Sequence, residues 1–383
     1  MAKRKKICFV VAVPGTARSF LSAHIRNLSK NYDIYVAGNI TQNGGLEVEG
    51  IKGIFDFDIN RDISLKTDLK ALYQLTSYFK KMKFDAVQSV TPKAGLITAL
   101  AAKFGGVKNR IHIFTGQVWA TKSGWFRRLL KGMDKLIVAL DNYILTDGES
   151  QRQFLIKEGV LNDTNSRVLG AGSICGADSE RFSPIPGVRE EEREKMHIPE
   201  DKVVFSFMGR LNRDKGIYEL FQAFNNMVLK YPNSYLLFFG NDEGNCLDSL
   251  HDYPNIHEGE NFQFYGRTTS PQLSLQASDV FCMPSYREGF GMSVVEAQAL
   301  GLPVICSDAY GLGDTIADNE TGLRCKVGDV DSLQKAMEEF YQNPEMRKRM
   351  GEKGRERVIN LFAGDKILKA WSEFYDNILD RNS

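Results

Sequence analysis

The sequence has no run of 18 uninterrupted apolar residues, so no membrane-spanning helix is expected. It has no C-x-x-C pair, and its six cysteines and five histidines never fall at metal-ligand spacing, so no metal site is expected. Cys8, Cys282 and Cys306 lie in apolar, strand-like runs, where a free thiol packs as a small hydrophobe. With Cys175, Cys246 and Cys325 they suit a reducing cytoplasm. The nucleotide fingerprints G-x-G-x-x-G and G-x-x-x-x-G-K-[ST] are both missing. So is a secretory leader: the basic run Lys3 to Lys6 enters Ile7 to Val13, which breaks at Pro14 with no A-x-A-like cleavage site after it. A first buried strand is the expectation there. Net charge is nearly absent at +1, but its distribution is uneven. Up to Phe182 there are 27 Lys and Arg against 16 Asp and Glu; beyond it there are 22 against 32. The basic half is the one suited to an anionic partner.

What is present is length and alternation. A chain of 383 residues with 43% apolar content can fill two cores. Ile7–Val13, Tyr32–Ala37, Ala86–Val90, Arg110–Phe114, Ile144–Asp147 and Val168–Gly172 read as short buried strands. The clearest helices between them are Ser19–Lys30, Ser64–Lys81 and Ser150–Glu158. A second series begins at Val203–Met208, with strands at Tyr235–Phe239, Phe262–Tyr265, Val280–Met283 and Pro303–Ser307 and a helix at Gly216–Leu229. Such alternation predicts α/β domains with parallel sheets covered on both faces. Between the two series, Ser183 to Glu200 carries three prolines and the charge cluster Arg189–Lys195, and it reads as an interdomain linker.

One stretch organises the chemistry: Pro284 to Gly301, PSYREGFGMSVVEAQALG. A strand stopped by Pro284 enters a glycine turn with Glu288, Gly289 and Gly291, and Met292–Leu300 reads as a helix capped by Gly301. Strand, glycine turn and helix N-terminus make an anion site, because the first helical N–H groups lack internal partners and point along the positive end of the macrodipole. Glu288 and Glu296 would stand about 12 Å apart if the whole span were helical. That is wider than the roughly 5 Å of two carboxylates that jointly cleave one bond in a retaining hydrolase. It suits a long ligand with hydroxyls at both ends and negative charge between, the shape of a sugar nucleotide.

This stretch, with Gly301-Leu302-Pro303-Val304 after it, resembles the signature of the family 4 retaining glycosyltransferases, which carry two glutamates at this spacing followed by a G-x-P-V segment. The resemblance implies the GT-B fold, two Rossmann-like domains with parallel sheets facing across a cleft. The expected partition is residues 1–182 on the acceptor side, a linker over 183–200, and a nucleotide-sugar domain over 201–365. A terminal helix over about 366–383 would pack back on the first domain. The resemblance also implies that Glu288 contacts the donor sugar and Glu296 the ribose, with Gly289, Phe290, Gly291, Met292 and Ser293 lining the donor. Gly209 to Gly216, GRLNRDKG, is similar to that family's G-R-x(n)-K-G segment. There Arg210 and Lys215 would hold the donor diphosphate, two fixed cations meeting the growing charge of the leaving group in place of a metal. Relatives often pair glycines after the first strand; this chain has Gly15 alone.

Asp56-Phe57-Asp58 and Asp329-Val330-Asp331 match a D-x-D metal motif in letters but lack the strand context it needs, and read as surface carboxylates. Thr91–Gly95 and His112–Trp119 end two first-domain strands and resemble bacterial members that build capsule or O-antigen units on a polyprenyl diphosphate, commonly from N-acetylated UDP-sugars. By that resemblance Thr115 falls where relatives place a histidine near the donor sugar, with His112 inside the strand as a weaker candidate. From Lys122 to Ile137 an amphipathic pattern places Arg127, Lys131 and Lys135 on one helix face with Arg128 beside them, and Trp125 and Phe126 at its start. This is the make-up of an interfacial helix, expected to hold the protein peripherally on the anionic inner membrane surface. The expected function is transfer of a sugar from a UDP-sugar donor to a lipid-linked glycan acceptor, with no further cofactor and no nucleic-acid partner. A sugar-nucleotide epimerase on the same fold and a non-catalytic sugar-nucleotide binder stay open as alternatives.

Overall fold

The structure, a computed structural model, describes residues 4–59 and 64–380. Lys3 of the basic run and residues 381–383 of the expected terminal helix lie outside them. The chain divides into two compact units, residues 1–176 with 365–383, and residues 177–364.

The first unit runs β1 (Lys6–Val10), α1 (Pro14–Thr16), α2 (Ser22–Leu28), β2 (Asp33–Gly38), β3 (Ile51–Asp56), α3 (Leu65–Met82), β4 (Ala86–Val90), α4 (Pro92–Phe104), β5 (Asn109–Phe114), α5 (Gly124–Leu140), β6 (Tyr143–Thr146), α6 (Glu149–Lys157) and β7 (Arg167–Val168). Its seven strands pair in the order β3-β2-β1-β4-β5-β6-β7, all parallel. Central strand β1 is buried from Ile7 to Val10 and reads in sequence as an apolar run, while β4, buried along its whole length, encloses Gln88 and Ser89 as well. Edge strand β3 alternates half-buried Ile51, Gly53 and Phe55 with exposed Lys52, Ile54 and Asp56, a weaker signal that sequence reading passes over. Of the stretch expected as a strand over Val168–Gly172, only Val168 lies in one, as the second residue of β7.

The second unit holds α7 (Val188–Lys195), β8 (Val203–Met208), α8 (Ile217–Val228), β9 (Ser234–Phe239), β10 (Phe262–Gly266), α9 (Pro271–Ser274), β11 (Val280–Met283), α10 (Met292–Ala299), β12 (Val304–Ser307), β13 (Gly322–Cys325), α11 (Val330–Gln342) and α12 (Pro344–Arg357). Its parallel order is β10-β9-β8-β11-β12-β13. In each sheet the strand order reverses direction at one point, between β1 and β4 and between β8 and β11. Open α/β sheets bind ligands outside the strand C-termini at such points.

The last helix, α13 (Gly364–Asp380), belongs to the first unit. Its Trp371 is buried and stacks on His24 at 4.3 Å, and Asn27 donates to Ser372 Oγ at 2.8 Å. Burial holds the His24 imidazole down at about 4, so it is neutral where it meets the Ile174 carbonyl.

The expected linker is not one. The chain passes from first to second unit at Gly176, and residues 188–195 form α7, packed within the second unit. Their charges have buried partners: the Arg193 side chain is 1% exposed and donates to Ala277 O at 2.9 Å, Glu200 O at 3.0 Å and Asp279 Oδ2 at 2.7 Å. A charge cluster therefore looked like a solvated linker when it was a tie. Replacing Arg193 by Met removes the charge but keeps most of the bulk, and leaves four acceptors, the Lys202 carbonyl among them, without their Arg193 donor. The second unit should lose about 3 kcal/mol in urea unfolding, as for other broken buried pairs. Arg189→Gln, whose head is partly solvated, should lose less than about 1 kcal/mol.

Candidate active site

At the β8/β11 reversal two loops meet. The loop after β8 carries Gly209, Arg210 and a single 3-10 turn, Arg213–Lys215, ended by Gly216. Gly216 has φ +71°, and a Cβ there would stand 2.8 Å from the Pro284 carbonyl carbon and closer still to its oxygen. Only glycine lets this loop lie against the loop after β11. Tyr286 N–H donates to Asp214 O at 2.8 Å, and Arg287 closes on the Asp214 carboxylate at 2.7 Å.

These contacts deliver Lys215 Nζ to Glu288 Oε1, in an ion pair whose side chains are only 16% and 12% exposed. Ser285 Oγ donates to the same carboxylate oxygen at 2.8 Å. Asp214, next to Lys215 in the chain, binds Arg287; Glu288, held by Ser285, orients Lys215. Arg210 is not brought in. Its side chain is 53% exposed and pairs with Glu243 at 3.2 Å. Ser285 and Arg287 were missed, although both lie inside the signature, because nothing in their spacing distinguishes them from turn residues.

The expected sequence of strand, glycine turn and helix forms. Gly291 takes φ +77° immediately before α10, where a Cβ would collide with a Leu312 methyl group. Gly301 follows the helix at φ +78°. Gly289 is half-buried in the turn. Phe290 is buried with its ring edge-on to Phe362 at 5.3 Å, so its side chain is committed to the core and only its backbone is left for a ligand. Met292 and Ser293 are half-buried in the first turn of α10, and Glu296 lies one turn further on. Glu296 keeps part of its surface but its carboxyl is largely enclosed; burial pushes it up to about 7, against a smaller opposing pull from Arg181. It is thus a half-ionised acid at neutral pH.

The first unit's strand C-terminal edge is also unusual. Thr91, after β4, is held at φ 81°, ψ 142°, a conformation costing a β-branched residue roughly 1–3 kcal/mol. Ser173 is held at φ 75°. Asp147, after β6, is buried and pushed up to about 8 by that burial, which keeps it a neutral acid at pH 7. Among the described residues, Thr91 Oγ1, Thr146 Oγ1 and Asp147 Oδ1 are enclosed without a hydrogen-bond partner. Thr115 is half-buried just past β5 on this edge, and Gly15 is exposed after β1, in the first helical turn. His112 is not on the edge. It is buried within β5, with Ser89 Oγ 2.8 Å from Nδ1 and Phe114 edge-on at 4.6 Å, and burial holds it down at about 3. That makes it a packed core histidine.

The two D-x-D strings are structural. Asp56 accepts from the Ile40 and Thr41 amides at 2.8 and 2.9 Å, and Asp329 caps α11 through Ser332 N–H at 2.9 Å. Among the described residues no group of three or more His, Cys, Asp or Glu is placed to hold a metal ion, and no helix is long and apolar enough to cross a membrane.

Known proteins share this arrangement. Residues 188–357, which contain both site loops, match the family described as glycosyl transferases group 1. The chain is 33% identical over 322 residues to the capsular polysaccharide biosynthesis glycosyltransferase CapM of Staphylococcus aureus, covering 84% of each chain. It is 25% identical over 341 residues to an Escherichia coli UDP-Gal:alpha-D-GlcNAc-diphosphoundecaprenol alpha-1,3-galactosyltransferase, covering 87% of this chain and 84% of that one. In fold it matches sucrose-phosphate synthase from Thermosynechococcus elongatus with a TM-score of 0.84 over 99% of this chain and 100% of that one, at 19% identity. The doubly wound pair of parallel sheets is the GT-B fold. With a capsule-building relative matched at this identity across most of both chains, and the family's own region spanning both site loops, the chain belongs to the group 1 glycosyl transferases.

Proposed function

We propose that this glycosyltransferase is retaining and metal-independent, and moves a hexose or N-acetylhexosamine from a UDP-sugar to a polyprenyl-diphosphate-linked acceptor in surface-polysaccharide synthesis. The observation that carries the reading is the Lys215–Glu288 pair at the β8/β11 reversal, one turn ahead of the α10 N-terminus. As the bond from sugar C1 to the diphosphate oxygen breaks, charge grows on the leaving group. Lys215 and the first amides of α10 are fixed positive groups suited to receive it, with Arg210 reaching in from its solvated position beside Glu243, the task a metal performs elsewhere. In the free protein Glu288 neutralises Lys215. An arriving diphosphate takes over the ammonium, and Glu288 turns to a sugar hydroxyl.

Glu296 receives the ribose hydroxyls in this reading, and the neutral acid and unpartnered hydroxyls of the first unit's strand edge receive the acceptor. The E. coli relative's named substrates, a UDP-sugar and a diphosphoundecaprenol-linked sugar, support the donor and acceptor classes. None of the six cysteines is in a disulfide, which suits a cytoplasmic location.

Lys215→Ala should lower kcat about a hundredfold, as removal of one preorganised donor does, with a smaller change in donor KM. Arg210→Ala, acting from a solvated position, should lower it about tenfold. Both are read by transfer to lipid-linked acceptor from a radiolabelled UDP-sugar panel. Activity should survive EDTA; loss restored by magnesium or manganese overturns the metal-independent reading.

The second expectation is a pH dependence. Ribose hydroxyls donate to the ionised form of Glu296, and burial has raised that group to about 7, so donor affinity is lost as pH falls through 7. Between pH 6 and 8 the ionised fraction rises from about a tenth to about nine tenths, so affinity for an intact UDP-sugar should rise about tenfold. The diphosphate diester has the same charge at both values. Glu296→Gln should bind more weakly at pH 8 and be flat across this range in calorimetry. A parent profile as flat as the variant's removes Glu296 from the ribose site.

A further inference from the structure

The basic helix read from sequence folds differently from the interfacial helix expected. In α5, Arg127 and Lys131 both pair with Glu158, at 2.9 and 2.7 Å, and both lie over the Trp119 ring at 5.1 and 5.5 Å. They are spent inside the first unit. What faces outward is the adjacent stripe, Trp125, Leu129 and Leu136, of which Trp125 is 74% exposed.

Helix α3 presents a matching stripe that no sequence signal had marked. Leu65, Leu69 and Tyr73 recur every four residues and are 77%, 65% and 75% exposed. Helix α4 lies between α3 and α5, in contact with both. All three helices follow parallel strands, so their N-terminal halves, where Leu65, Leu69, Trp125 and Leu129 sit, lie toward the strand C-terminal edge that carries Thr91 and Asp147. Together the three helices hold ten Lys or Arg against two Asp. Neither Asp opposes an outside anion: Asp68 is paired with Lys93 at 2.9 Å, and Asp134 is buried against Trp119 Nε1 at 2.7 Å. Lys66, Lys122 and Arg128 are exposed with no acidic partner among the described residues.

We infer that this outer layer, α3 and α5 flanking α4, is a docking face for an anionic lipid bilayer, with the two apolar stripes entering the headgroup boundary and Lys66, Lys122 and Arg128 meeting lipid phosphates. Charge complementarity selects this occupant: a layer with net positive charge and no free carboxylate fits a uniformly anionic surface. It rests on the proposed lipid-linked acceptor only for its purpose; the binding itself is independent of any acceptor.

The protein carries its own reporter. Of the three tryptophans, Trp119 and Trp371 are buried at 2% and 1%, so an environmental change in Trp fluorescence on docking comes from Trp125. The full chain is mixed with vesicles of 30% phosphatidylglycerol in phosphatidylcholine, with pure phosphatidylcholine as control. Expected are co-sedimentation and a blue shift with the anionic vesicles only, quenching by brominated lipid, and reversal in 0.5 M salt. Lys66→Gln/Lys122→Gln/Arg128→Gln should weaken binding about a hundredfold, at about tenfold or less per basic residue. Glu158→Gln, which releases Arg127 and Lys131 and removes a negative charge, should bind at least as tightly as the parent does. Equal binding to neutral vesicles, no shift, or a triple variant that binds like the parent overturns the proposal. So does a concentration-dependent dimer abolished by Trp125→Ser, which makes the face a protein interface. Vesicle binding without sugar transfer would instead count against the proposed function, and transfer in detergent without vesicle binding against this face alone.

Discussion

The backbone of Gly216 rests against the carbonyl of Pro284, and the second unit's chemistry depends on that approach. Parallel strands β8 and β11 leave the sheet side by side, and each must turn away into a helix on its own face. Any Cβ at position 216 would force the two turns apart, and Lys215 would lose Glu288. A left-handed glycine is therefore what converts a sheet reversal, common to many folds, into a site with opposite charges held together. Gly291 does the same at the start of α10, where a side chain would displace Leu312.

The charges gathered there compensate one another before any ligand arrives. Lys215 is balanced by Glu288, Asp214 by Arg287, Arg210 by Glu243. Cations lying close to one another in an empty site would repel; holding each against a carboxylate keeps the loops ordered while leaving the positive groups exchangeable. Glu296 differs. With its carboxyl enclosed and only Arg181 pulling against burial, it sits near its own titration point, ready to ionise when hydroxyl donors arrive.

The first unit carries strained backbone and an unpartnered buried acid at its strand C-terminal edge. Thr91 and Ser173 occupy left-handed backbone, Asp147 is buried without a partner for Oδ1, and all three follow strand C-termini. Elsewhere in that unit some buried polar groups have partners, His112 Nδ1 in Ser89, Asp134 in Trp119 and Asn27 in Ser372, while His24 Nδ1, Gln88 Nε2 and His112 Nε2 have none among the described residues.

The sequence by itself determined the parallel α/β class, most buried strands, the helix at Met292 and where the two site loops lie. Each of these depends on local chemistry: apolar runs for strands buried on both faces, glycine for left-handed turns, and an unbroken motif for the anion site. Tertiary structure alone decided what long-range partners control. Whether Arg193 is solvent-facing or buried turns on Asp279, more than eighty residues away, and whether Arg127 and Lys131 are free turns on Glu158. Edge strand β3 and the exposed stripe of α3 were illegible for a related reason: their alternation of apolar and polar residues takes its meaning from which face a neighbouring element covers, and no local pattern records that.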